Sequence, residues 1–104
     1  MAFFPIAKTA GIFWIRPEDW TDYVNLSVDR ARLPPTYEVW VNGTERVTNS
    51  LAQEGWEVVR IDVDLGEFAA WCKTNDLEPD KVARICYANM MAAEEISRRE
   101  TRKN

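Results

Sequence analysis

The residues from Trp56 to Cys72, WEVVRIDVDLGEFAAWC, change their apolar period once, and this change constrains the fold more than any other feature. From Glu57 to Val63 the apolar residues alternate, placing Val59, Ile61 and Val63 on one side of a strand. After Asp64 the spacing turns helical, with Phe68, Trp71, Cys72 and Asn75 recurring three and four apart. Asp64 followed three residues later by Glu67 is close to a capping box, which satisfies free N–H groups at a helix start. A strand leading into a capped helix is predicted, with the other elements arranged around it. The stretch carries no chemistry of its own.

A chain of 104 residues forms one domain, residues 1–104, large enough to bury roughly two thirds of its unfolded surface without staples. The opening MAFFPIAK lacks a basic region and a long apolar run, so it is read as an N-terminal arm over residues 1–10, not a signal peptide. No stretch is long enough to span a membrane. Cys72 and Cys86 sit in apolar helical patterns and are expected to be free, buried thiols in a reducing cytoplasm. A net charge of −4 argues against a general nucleic-acid binder. The positive charge gathers at residues 98–104, where Arg98, Arg99, Arg102 and Lys103 face one acid, Glu100. Such a basic, fraying tail suits a helix C-terminus; contact with phosphates is its alternative role.

Taken in order, Gly11 to Arg16 reads as a strand of aromatic and β-branched residues, apolar on both sides and so covered on both. Pro17 opens a helix, with Glu18 and Asp19 in its first turn and an end near Val28. Asn42-Gly43 between β-forming residues is a hairpin signal, but pairing the two arms leaves neither face apolar. A helix instead collects Tyr37, Trp40, Val41, Val47 and Leu51 on one side, with Thr36 as N-cap and Gly55 as stop. The helix is the better reading. Pro79 opens the last helix, whose stripe of Val82, Ile85, Cys86, Met90, Ala93 and Ile96 is predicted to face the core. The fold class is α+β, two short strands and four helices in the order β-α-α-β-α-α. Two strands are few for an independent sheet, so one shared across a homodimer is a further expectation.

The chain resembles a group of small uncharacterised bacterial proteins. The resemblance rests on Arg16-Pro-Glu-Asp-Trp20 after an aromatic strand, a Leu-Pro-x-Thr-Tyr-x-x-Trp helix start at Leu33 to Trp40, and a Gly-linked strand. An acid-x-x-acid-Phe helix start ending in Trp71-Cys72 and a final helix with Ala-Arg and Tyr-Ala complete it, over roughly residues 11–90. It implies support for the helix over residues 36–54 and no transferable chemistry.

The sequence contains no histidine, which removes the usual general base and the commonest metal ligand. No phosphate-cradling glycine loop, zinc-ligand set or calcium loop is present, so no cofactor and no metal are expected. Asp62 and Asp64, with Arg60 beside them, are the best acidic pair; a helix cap and an ion pair explain them without catalysis. Of the five tryptophans, Trp14, Trp40 and Trp71 fit apolar stripes, whereas Trp20 and Trp56 lie near element ends and are candidate contact residues. Asn89 falls inside the apolar stripe of the last helix, where an amide often sets the register of a helix pair.

The expected mode of action is therefore binding, as a homodimer or to another protein, with Trp20, Trp56, Arg60, Asp62 and Asn89 as candidate residues. Two alternatives stand beside it. One is a small enzyme or ligand-binding protein using Arg60, Asp62 and Asp64, with Arg16 nearby. The other is a nucleic-acid accessory acting through the basic tail.

Overall fold

A computed structural model describes residues 8–102. Its elements are β1 (Thr9–Trp14), α1 (Trp20–Leu26), α2 (Tyr37–Gln53), β2 (Glu57–Asp62), α3 (Leu65–Thr74) and α4 (Lys81–Arg102). The architecture is the α+β order read from the sequence. Of the arm expected over residues 1–10, residues 1–7 lie outside the described residues, as do the last two of the tail, and Thr9 and Ala10 belong to β1. β1 begins two residues before its predicted start, and Arg98 and Arg99 lie within α4.

Local chemistry accounts for the element ends. The Thr36 hydroxyl accepts the Val39 N–H at 3.2 Å, and the Asp64 carboxylate accepts the Glu67 N–H at 2.9 Å. α2 closes on Gly55, whose φ of 92° lies in the left-handed region. Gly55 N–H bonds to the Ala52 carbonyl and Trp56 N–H to that of Leu51, the paired bonds of a Schellman motif. One boundary differs from expectation. Asp80, not Pro79, starts α4, because its carboxylate accepts the Ala83 N–H at 3.0 Å.

β1 and β2 pair in parallel within the chain, with Gly11 opposite Val59 and Phe13 opposite Ile61. α2 covers one face of this sheet through Trp40, whose ring lies 5.1 Å from that of Trp14. Trp20 and Tyr37 complete that aromatic cluster, 5.8 Å apart. α3 and α4 cover the other face: Phe13 meets Phe68 at 4.9 Å, and Tyr87 meets both Phe68 and Trp71 at 5.2 Å. Coverage of β1 on both sides explains its unbroken apolar sequence.

The ladder bonds from Glu57 N–H to the Lys8 carbonyl and from Val63 N–H to the Trp14 carbonyl establish which way each peptide unit points. By alternation, the backbone groups of Gly11, Phe13 and Ile15 point away from β2, along an open edge. Side chains occupy that edge. Asn89 Oδ1 accepts the Gly11 N–H at 2.8 Å, Tyr37 donates its hydroxyl to the Ile15 carbonyl at 2.8 Å, and the Tyr23 ring lies 6.0 Å from Phe13.

The rotation of α4 corrects the predicted core stripe. Its buried residues are Ala83, Arg84, Tyr87, Ala88 and Ala92, whereas Val82 and Ile85 are 64% and 50% exposed. Cys86 and Ala93 are exposed as well, and only Met90 and Ile96 of the predicted stripe reach the core. The cause is steric. α4 crosses β1 so closely that a Cβ on Gly11 would collide with the Ala88 carbonyl, a separation that alanines permit and larger side chains forbid.

Two glycines give opposite predictions. Gly11→Ala should lower the free energy of unfolding by about 3 kcal/mol through overpacking. Gly43→Ala, mid-helix with open space where its Cβ would stand, should raise it by about 1 kcal/mol. Urea denaturation followed by far-ultraviolet circular dichroism measures both.

Candidate functional site

The residues singled out from the sequence do not converge. Trp20 is half-buried and held among Tyr23, Tyr37 and Trp40, at ring separations of 5.6 to 6.0 Å. Trp56 is half-buried at the end of α2, with the Lys8 ammonium 5.4 Å from its ring centre. Arg60 bonds to Asp62 at 3.1 Å and lies flat over Trp14 at 4.2 Å; both partners of the ion pair are well exposed. Asp64 is occupied as the α3 cap, and Arg16 pairs with Asp19 at 2.9 Å. Among the described residues no group of three or more acidic or cysteine side chains is placed to hold a metal ion. Arg98 and Arg99 lean on Glu95, and Arg99 also approaches Glu57 at 3.8 Å. Of the thiols, Cys72 is buried as expected and Cys86 is exposed, a consequence of the α4 rotation.

What the fold does assemble is a groove of about 740 Å³ between α2 and α4, floored by the outer edge of β1. Trp40, Thr44, Val47 and Leu51 form its α2 wall; Lys81, Ile85 and Ala88 form the α4 wall. Val47 and Ile85, 54% and 50% exposed, carry its apolar character to the surface. A smaller cleft of about 270 Å³ lies under α2 on the other side, with Glu45, Asn49 and Arg60 around Trp14.

The Asp29–Arg84 pair lies at one end of the groove. Two parallel hydrogen bonds, of 3.0 and 2.7 Å, join the guanidinium to the carboxylate across 55 positions of sequence. The same guanidinium stands 5.6 Å from the centre of the Tyr23 ring, and burial pushes the Tyr23 phenol up to about 12. The hydrogen bonds from Arg84 hold the Asp29 carboxyl below its ordinary range. This pair ties the start of α4 to the segment after α1, and both residues line the groove.

The outward face of α4 is the second feature. Val82, Ile85, Cys86, Asn89 and Ala93 follow one another at helical spacing, and no charged side chain interrupts them. Lys81, Arg84, Glu94, Glu95 and Arg98 all fall to the sides or toward the core. While Tyr87, Met91 and Ile96 pack against the core, a second apolar face of this helix points away from its own protein. The sequence reading assigned that face to the core; the signal against it was the series Ala83, Ala88 and Ala92, small enough for close approach.

No helix among the described residues is long and apolar enough to cross a membrane. No protein-family model, curated protein or solved structure compared with the chain matches it.

The Asp29–Arg84 pair carries a pH-dependent prediction. Because the folded carboxyl is depressed, its contribution is complete above the unfolded carboxylate value of about 3.9 and lost as pH falls through the folded value. Asp29→Asn should therefore cost about 2 kcal/mol at neutral pH, by leaving Arg84 without its counter-charge. Its urea midpoint should approach that of the wild type as the pH is lowered below about 4.

Proposed function

We propose that this protein acts by protein–protein binding, through the outward face of α4 and the groove beside it. The observation that carries the reading is the apolar strip that α4 turns to solvent. A helix of a self-contained monomer turns charges to water and apolar residues inward. Here Val82, Ile85 and Cys86 face solvent, Ile85 also walls the groove, and Val47 is exposed on the opposite wall. Contiguous apolar surface of this kind marks contact sites. Depletion of charge with an uncharged centre is the composition of an interface core.

The reading displaces Trp20 from the contact, since its ring is engaged within the aromatic cluster, and leaves Trp56 at the far end of α2. Arg60 and Asp62 lie on β2, away from the groove, and retain a role in keeping that strand end polar. An exposed thiol at Cys86 suits a reducing compartment, which supports a cytoplasmic location.

Ile85→Glu tests the proposal. As a surface change it should leave the urea midpoint within about 0.5 kcal/mol of the wild type. A photoreactive side chain introduced at Val82 should cross-link to protein in the native host, and the adducts should vanish when Ile85→Glu is added. Adducts that survive the charge, or that never form, would overturn the reading.

A further inference from the structure

We infer that the outer edge of β2 is a strand-pairing surface for a second copy of this chain, joined antiparallel about a twofold axis at Ile61. This edge is separate from the α4 face, and the inference stands independently of it.

The two edges of the sheet differ. The β1 edge is stopped by Asn89 on the Gly11 N–H, by Tyr37 on the Ile15 carbonyl and by the Tyr23 ring. The β2 edge has no such stops among the described residues. The ladder bonds of Glu57 and Val63 run to β1, so by alternation the N–H and carbonyl groups of Val58, Arg60 and Asp62 point outward. None of these groups takes a hydrogen bond among the described residues. Arg60 and Asp62 are exposed, and Val58 is half-buried.

The helices on one face are centred over the first strand. Phe68 and Tyr87 meet Phe13 at 4.9 and 6.3 Å, and Ala88 rests on Gly11. On the other face, the cleft of about 270 Å³ opens between α2 and the side chains of Val58 and Arg60. A row of open donors and acceptors on such a strand is what strand addition uses. The pairing extends a marginal two-stranded sheet to four strands.

The charge pattern selects a second copy as the occupant. Val59, Ile61 and Val63 are buried in their own core, so Arg60 and Asp62 are left to decide the register. Reversed on themselves, these two charges are complementary. An antiparallel pair centred on Ile61 sets Arg60 directly opposite the partner's Asp62, and the twofold axis repeats the contact. Each of these residue pairs also exchanges both backbone bonds. Centring on Arg60 or on Asp62 would set like charges together, and centring on Val59 would set Arg60 against the partner's Val58. The neighbouring acids are engaged elsewhere: Glu57 approaches Arg99 at 3.8 Å, and Asp64 caps α3. Within the chain Arg60 and Asp62 bond to each other at 3.1 Å, with side chains 59% and 68% exposed. An ion pair so exposed contributes little, so exchanging it for two contacts across the seam costs little.

Charge exchange tests the pairing in the intact chain. Sedimentation equilibrium should show a wild-type dimer. Arg60→Asp and Asp62→Arg should each raise the dissociation constant at least about 10-fold, because like charges then face each other twice. Mixing the two variants should restore association as a heterodimer, since each acid again faces a base. The double variant Arg60→Asp/Asp62→Arg should dimerise by itself. Hydrogen exchange locates the seam: the Arg60 and Asp62 amides should exchange slowly at dimer concentrations and fast on dilution. A wild type that stays monomeric at high micromolar concentration would overturn the second copy as the occupant of this edge. A dimer that leaves both amides unprotected would overturn the edge as its seam. Failure of the mixed variants and of the double variant to associate would overturn the register about Ile61.

Discussion

The closeness of β1 and α4 at Gly11 is the constraint on which the rest of this structure depends. With no Cβ in the way, the Ala88 backbone rests on the strand, and Asn89 reaches the Gly11 N–H that a third strand would otherwise take. That contact sets the rotation of α4. Once it is set, Tyr87 must enter the aromatic cluster with Phe68 and Trp71, and Arg84 must turn toward Asp29. Val82, Ile85 and Cys86 have then nowhere to point but outward. The outward apolar face of α4 is a by-product of how the sheet edge is closed.

A two-stranded parallel sheet has little cohesion of its own, and here helices supply what further strands supply elsewhere. Trp40 presses on one face and Phe68 with Tyr87 on the other, while Phe13 and Tyr23 bridge the two aromatic groups around the strand edge. Side-chain amide, hydroxyl and ring take up the edge positions. The Asp29–Arg84 pair works differently. It replaces hydration that burial removes, so its value lies less in net attraction than in the cost of separating the two charges.

Where structure is decided locally, the sequence was readable. Thr36, Asp64 and Gly55 act within four residues of themselves, and each terminates its helix as its chemistry requires. The α2 helix prevailed over the hairpin because its apolar face was coherent and the hairpin's was not. The rotation of α4 was not readable in this way. Hydrophobicity alone ranks Val82 and Ile85 above Ala83 and Ala88, so the greasier stripe looked like the core. The deciding interaction is the steric contact of Ala88 with Gly11 in the first strand, and no local pattern announces it. Arg60, Asp62 and Asp64 illustrate the opposite limit: close in sequence, they separate into a stacked ion pair and a helix cap as the strand ends. Asn89 was recognised as a register residue, and the register it visibly sets is that of helix on strand.

The span of these contacts also governs how the chain reaches its fold. The ladder of β1 comes from β2 and its edge amide from Asn89, 78 positions away, while the Asp29–Arg84 pair joins residues 55 positions apart. The entropy of closing such loops must be lost before any of these contacts gives stability back. The bonds within helices α2 and α4 are local, whereas β1 gains its ladder and its edge amide only when distant segments meet. Until it does, the aromatic residues on both of its faces remain open to solvent and to other chains.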